Sequence, residues 1–488
     1  MNKKLFFIFL ILFSSIFAED TLKFTLDEAI EIAKTSSPKV ILARHRFRRS
    51  YWEFRRYKSH YVPHLSLSGE IPSYNRSISK VTRADGTDVF VEQENASSSL
   101  NLSLSQNIGF TGGELYLSSE ILRNDVFGDS TITSYLASPV YIGLNQPLFS
   151  YNNYKWDKEI EPLKFKEARM NYVEELEQLS IDATNHFFNL LSAQINLKIA
   201  EINSNGNDTL FKIAQGRYNL GTIAENELLQ MELALLNSNV EVEDARVELQ
   251  TKLFELKSFL GIKSDVEIEL TAPAYIQDIV VEYEDALEKA LENNTQAIGF
   301  ERREIVAERN VCRSKSENSL SINLYASYGL TKTAPEIPDA YQDPGDRQQA
   351  RLGFEIPIVD GGFAKGNIRM AESSRDLELN SIEQERTDFA QDVFLKVRKF
   401  NMQKSQVAIA AKADTVAKKR YEVARQRYLI GKITITELNN AQTDKDSASK
   451  AYIEALRTYW VNFYNIRKLT HFDYVLGKPI YFENFMDK

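Results

Sequence analysis

The 488-residue sequence predicts a mixed α and β fold made of very long helices, alternating strands and an internal duplication. Three observations predict it. Between Gly366 and Tyr428 neither glycine nor proline occurs, and a continuous helix over such a stretch is roughly 95 Å long at about 1.5 Å per residue. Period-two alternation is cleanest in LNLSLS at 100–105, the pattern of a two-faced strand. Self-similarity recurs at fixed offsets, the mark of repeated architecture. Residues 27–43, DEAIEIAKTSSPKVILA, resemble 284–300, EDALEKALENNTQAIGF, at a shift of 257. RYNLGTIAENEL at 217–228 matches RYLIGKITITEL at 427–438 at a shift of 210, with identities at Arg217/Arg427, Tyr218/Tyr428, Gly221/Gly431, Glu227/Glu437 and Leu228/Leu438. The first half therefore carries a net insertion of 47 residues between the matched blocks.

The elements follow in chain order. Lys3 and Lys4 precede the apolar run Leu5–Phe17 and the small residue Ala18, the layout of an export signal. That run is short of the ~20 apolar residues a spanning helix needs. No later apolar run approaches that length, which argues against an α-helical membrane protein; barrel strands need only ~9–11 residues and stay open. Thr25 is placed to cap a helix with Asp27 and Glu28 in its first turn, and Pro38 interrupts or restarts it;. Strand patterns occupy 64–68, 100–105, 113–121, 138–146, 320–329 and 350–357. One face is apolar, and the other holds Ser103, Ser105, Asn145, Asn323 and Glu355. Such strands suit a lipid-facing barrel with a wet lumen and equally a half-buried soluble sheet.

Ile382 and Phe389 on one row, and Val393, Phe400 and Val407 on the next, follow a heptad broken by Arg386, Lys396 and Gln403. This reads as a coiled-coil seam with polar breaks. The first half repeats it from Pro162 to Pro273, with Gly206, Gly216 and Gly221 expected to interrupt the helix. Gly221 and Gly431 are expected as left-handed C-caps where one long helix turns back into another. Tyr459, Trp460, Phe463 and Tyr464 read as core.

Composition excludes several functions. A net charge of −9 lacks the basic footprint of a nucleic-acid binder;. The single cysteine, Cys312, rules out an intrachain disulfide and is expected as an inert packed thiol;. His60 and His64 straddle Pro63, which spoils a helical metal pair, and Asp339, Asp343 and Asp346 read as an acidic surface loop;. No phosphate-binding glycine loop or nucleophilic triad signature is present. A closed membrane barrel needs about eight strands or more, and open edges cannot face lipid. If the strands cross a membrane, several chains must share one barrel. Roughly four strands from each of three chains would give twelve, with the pair near 98–121 either extra wall or an external hairpin.

The export signal, the duplicated halves, LDEAIEIA at 26–33, PHLSLSG at 63–69, QPLF at 146–149, PIVDGG at 357–362 and the paired RYxxGxxxxxEL turns resemble the TolC-like outer-membrane efflux family. The resemblance implies a mixed α and β membrane protein: a homotrimer with a transmembrane β-barrel shared between protomers and a long antiparallel α-helical barrel in the periplasm. It divides the chain into a signal peptide (1–18), a first repeat (19–275; strands near 64–146, long helices 160–260), a second repeat (276–470; strands near 320–357, long helices 362–469) and a tail (471–488). The implied function is a passive exit duct of a tripartite efflux or type I secretion system. Its partners are outer-membrane lipid, a periplasmic adaptor protein and an inner-membrane transporter. No enzymatic activity, cofactor, metal site or nucleic acid is implied.

The resemblance also nominates Tyr218, Gly221, Tyr428 and Gly431 for adaptor-contacting turns, and Glu437 and Asn440 for the channel aperture. A ring of three Glu437 carboxylates would favour cations, and mutual repulsion would raise their pKa. The alternative for Glu437 is a solvated helix-surface carboxylate. The chain departs from the family pattern in having Asn440 where a second acid often occurs and Ile433 where a basic tether can sit; Lys432 is the nearest substitute. The competing function is an exported periplasmic coiled-coil structural protein that binds partners and encloses no pore.

Overall fold

A computed structural model describes residues 22–263, 268–273 and 275–480. The expected signal at 1–18 and the end of the tail lie outside the described residues. In chain order the elements are β1 (Leu22–Phe24), α1 (Leu26–Ser36), α2 (Pro38–Ser59), β2 (His64–Thr82), β3 (Asp88–Ile108), β4 (Gly113–Phe127), β5 (Ile132–Leu148), α3 (Asn153–Asn219), α4 (Glu225–Leu260), β6 (Ile268–Leu270), α5 (Tyr283–Asn293), α6 (Thr295–Glu317), β7 (Ser321–Ala334), α7 (Ile337–Ala340), β8 (Gly345–Glu355), α8 (Phe363–Leu429), α9 (Ile435–Thr470), β9 (Phe472–Asp473) and β10 (Lys478–Pro479). Helices α3 and α8 have 67 residues each, and α4 and α9 have 36 each. No described helix is long and apolar enough to cross a membrane.

The chain forms two compact units. One comprises Phe47–Met170 and Thr295–Phe389. Its sheet is antiparallel with strand order β2-β3-β4-β5-β7-β8. All six strand patterns are therefore strands of one sheet, and the pair near 98–121 belongs to its middle. The period-two sequence builds two unlike faces. Leu65 pairs with Leu104, Leu104 with Leu117, Leu117 with Ile142, and Ile142 with Tyr328. This row is exposed, from 39% at Leu104 to 68% at Leu65. One residue along, Ser66 pairs with Ser103, Ser103 with Ser118, Ser118 with Tyr141, and Tyr141 with Gly329. Here Ser118 is 3% exposed and donates to Ser103 Oγ at 2.7 Å. On the same polar face Tyr116 lies flat over Gly143, where any Cβ would collide with its ring. Its hydroxyl is 2.8 Å from that of Tyr325.

In the helical part of this unit Arg303 grips Glu385 through two bonds of 2.6 and 2.8 Å and Glu378 at 2.7 Å. Cys312 is exposed, which corrects the expected packed thiol. Helix α6 buries Ala307 and Val311, and the next residue points about 100° away from that stripe.

The other unit comprises the described parts of Met1–Arg46, Asn171–Asn294 and Ala390–Lys488. Thr25 caps α1 in a reciprocal box with Glu28, whose carboxylate accepts from Thr25 N at 2.8 Å. Pro38 opens α2, where a missing N–H costs nothing;. Ser37 Oγ caps that helix by accepting from Val40 N at 3.2 Å.

Gly206 and Gly216 do not break α3, contrary to expectation. Each glycine costs only about 1 kcal/mol in a helix, and the stretch is held by Leu210 and Ala214, buried beside them. The helix also starts before the predicted 160, carrying Pro162 within it. The heptad residues Val393, Phe400 and Val407 are buried, as are Tyr459, Trp460, Phe463 and Tyr464. Tyr459 donates to Gln277 O at 2.7 Å.

Candidate functional site

The predicted site residues gather at the two turns α3–α4 and α8–α9. Both turns have one backbone design. Gly221 N donates to Tyr218 O at 2.8 Å and Thr222 N to Arg217 O at 2.9 Å; Gly431 N donates to Tyr428 O and Lys432 N to Arg427 O, both at 2.9 Å. This is the Schellman cap, which needs a left-handed residue. Gly221 and Gly431 supply it with φ of 69° and 73°.

The side chains differ. Leu210, Ala214, Met231, Tyr428, Ile435 and Leu438 form a buried cluster beneath the turns, with Ile433 packed against it. Tyr428 is 7% exposed, whereas Tyr218 is 40% exposed. Burial pushes the Tyr428 phenol up. Arg217 donates from Nη2 to Leu429 O at 2.7 Å, and its guanidinium lies 5.6 Å from the Tyr428 ring centre. One turn thus reaches over and holds the other. Arg427, its counterpart, is exposed.

Glu437 is the N3 residue of a capping box. Its carboxylate accepts from Thr434 N at 2.9 Å and Thr434 Oγ1 at 3.1 Å, while Glu437 N donates to Thr434 Oγ1 at 3.3 Å. Within the chain this holds the Glu437 carboxyl below its ordinary pKa, chiefly through the Thr434 N–H. The direction is opposite to the one expected from a carboxylate ring, because capping acts within a single chain. The T-x-x-E spacing of 434–437 is the sequence signature of such a box. At the matching first turn the N-cap is Ala224, with no side-chain bond. Asn440 is exposed on α9, three residues beyond Glu437.

A second polar centre was not legible from spacing. Glu177, 1% exposed at its side chain, accepts from Lys34 Nζ at 2.7 Å and from Arg467 Nε at 3.0 Å; Arg467 also grips Asp473. Burial pulls the Glu177 carboxyl up, but the two cations outweigh it and leave its pKa lowered. The partners lie 143 and 290 residues away. This centre ties α1, α3 and α9 together. Among the described residues no group of three or more His, Cys, Asp or Glu is gathered as a metal ion would require.

Residues 286–470 match the outer membrane efflux protein family. The chain is 21% identical over 329 residues to outer membrane protein TolC of Salmonella enteritidis, covering 64% of this chain and 66% of that one. The alignments span 27% and 66% of the curated relatives matched, less than two thirds of either. Among solved structures the fold is similar to the outer-membrane channel OprN, with TM-score 0.66 and 14% identity over 92% of this chain and 90% of that one. It is also similar to the CmeC outer membrane channel of Campylobacter jejuni, with TM-score 0.64 and 14% identity over 91% and 85%.

Proposed function

We propose, from the premise of this kinship with the outer-membrane efflux proteins in sequence and fold, that the chain is one protomer of a trimeric outer-membrane channel with its long helices in the periplasm. The channel is the passive exit duct of a tripartite efflux or type I secretion system, opened by an adaptor and an inner-membrane pump. One observation carries the reading. The sheet is inside-out for a water-soluble protein, with leucines exposed on one face and Ser118, Ser138 and Ser327 buried on the other. Lipid is the solvent that accepts the leucine face. Strands β2 and β8 are each paired on one side only among the described residues, and an open edge cannot stand in hydrocarbon. Pairing β8 of one copy with β2 of the next closes the sheet. Six strands per chain make this an eighteen-strand barrel for three copies, wider than the twelve inferred from four, since diameter grows with strand number.

A pore-free periplasmic coiled-coil protein gives no account of the exposed leucine face. Fractionation and planar-bilayer recording separate the two. A channel stays with the outer membrane, runs as a detergent-stable trimer and conducts; a water-soluble monomer without conductance sinks the reading.

The turns at Tyr218, Gly221, Tyr428 and Gly431 are the adaptor contacts in this reading, and Glu437 with Asn440 lines the aperture. Glu437→Gln keeps a capping side chain and removes the charge. It should weaken block by divalent cations in single-channel recordings. Unchanged block removes Glu437 from the gate and leaves the fold untouched.

A further inference from the structure

The sheet-bearing unit holds a cavity of about 590 Å³ where β2 begins and β3 ends. Tyr57 and Tyr61 wall it from the end of α2 and the residues just after, Phe110 from the β3–β4 turn, and Tyr154, Lys155 and Lys158 from the first turns of α3. The aromatic wall is fixed. Tyr61 Oη donates to Tyr154 O at 3.0 Å, and the Tyr61 ring meets those of Tyr57 and Tyr154 edge-on, with centres 5.3 and 6.0 Å apart. Gly109 lets that ring lie close under the turn, since a Cβ there would stand 3.0 Å from it. Asn107 Nδ2 donates to His60 O and Asn152 Nδ2 to Gly109 O, both at 3.1 Å, which ties the end of β3 to the segments flanking α2 and α3.

The lysines break a local rule. Cations are favoured at the C-terminal end of a helix and disfavoured at the N-terminal end, where the macrodipole is positive. Lys155 and Lys158 nevertheless stand in the first two turns of the 67-residue α3, both exposed. Among the described residues neither enters an ion pair; Lys155 Nζ lies 6.0 Å from the Trp156 ring centre. Glu159 also lines the cavity and leaves it net cationic. The opposite end of the sheet is arranged differently. There Arg76 pairs with Glu92, Lys80 with Asp88 at 2.7 Å and Arg123 with Asp125 at 2.9 Å. Those charges neutralise one another, and the charges of the cavity do not.

The cavity also adjoins exposed apolar surface. Phe110 is 86% exposed, and Val62 and Phe149 at the same sheet end are more than half exposed. The leucine row begins there with the pair Leu65 and Leu104. An apolar face that ends in aromatic rings and then in cations complements an amphiphile with an apolar tail and an anionic head.

We propose that this cavity holds the headgroup of an anionic phospholipid in the leaflet on the helix side of the membrane. Lys155 and Lys158 take the phosphate, and Phe110 lies beside the first methylenes of an acyl chain. A phosphate without a tail would use the lysines and leave Phe110 bare in water. The proposal rests on the membrane-channel reading and names a lipid partner at the helix-side rim of its sheet.

Lipid retention by the full chain tests it. Delipidated trimer in a nonionic detergent is given equal amounts of phosphatidylglycerol and phosphatidylcholine and repurified, and bound lipid is counted by native mass spectrometry. Phosphatidylglycerol should be favoured roughly 30-fold, about fivefold for each lysine beside an anionic headgroup. Lys155→Gln with Lys158→Gln should abolish the preference and leave the trimer and its helix content unchanged. Lys80→Gln, the same change of charge at the other sheet end, should leave the preference intact. Excess inorganic phosphate should not displace the lipid; displacement would make this a site for soluble phosphate and overturn the lipid assignment. An intact trimer without preference, or a preference that survives in the double variant, overturns it too and leaves the channel reading standing. A water-soluble monomer overturns both.

Discussion

The turns α3–α4 and α8–α9 share one backbone and have different lives. Both close with the same pair of hydrogen bonds around a left-handed glycine. Yet Tyr428 is buried under Arg217, whereas Tyr218 faces solvent, and Thr434 caps α9 while Ala224 leaves α4 without a side-chain cap. Duplication copies what is local. Neighbours then assign each copy of a side chain its work. The second turn is accordingly the more buried and the more fully capped of the two.

The contrast makes graded predictions, best read by amide hydrogen exchange at each turn. Tyr428→Ala should cost about 3–5 kcal/mol of local stability, as for other large aromatic truncations in a core, while Tyr218→Ala stays within about 0.5 kcal/mol. Comparable losses at the two positions would contradict the burial difference. Gly221→Ala and Gly431→Ala should each cost roughly 1–2 kcal/mol, the penalty of a Cβ in the left-handed region. No neighbouring atom obstructs a Cβ at either position, so the two costs should be equal, and a clear inequality would show that the backbones differ.

Thr434→Ala should loosen the start of α9 by about 1 kcal/mol, and Ala224→Thr should tighten the start of α4 by a similar amount. Glu227 already stands at the N3 position there. No gain from Ala224→Thr would mean that the missing hydroxyl is not what distinguishes the start of α4 from that of α9. The smallest effect is a pH response. The Glu437 pKa is lowered on folding, so its contribution is fully present above the unfolded carboxylate value near 4.3 and is lost as pH falls through the lower folded value. Exchange at the α9 start should quicken over that acidic window, and Thr434→Ala should abolish the change. Insensitivity of the unmodified protein would remove the capping bond from solution.

Much of this was legible beforehand, for identifiable reasons. Alternation in LNLSLS fixes a strand because side-chain direction in a strand reverses at every residue. Thr25 with Glu28 announced a cap because the bond spans three residues. Thr434 with Glu437 carries the same signature, and the two close a capping box at the start of α9. Gly206 and Gly216 misled because their intrinsic cost is small beside the burial of Leu210 and Ala214. Cys312 misled because exposure differs sharply between adjacent positions of a helix.

By itself the sequence determined the long helices, the period-two strands, the twin glycine turns and the 210-residue correspondence between halves. Each depends on steric and hydrogen-bonding rules that act over a few residues, or on direct comparison of letters. Only the tertiary structure decided that six strands share one sheet, that Arg217 rather than Arg427 makes the clamp, and that Glu177 finds cations 143 and 290 residues away. Those outcomes depend on which helix or strand lies alongside which, and chain separation does not encode that.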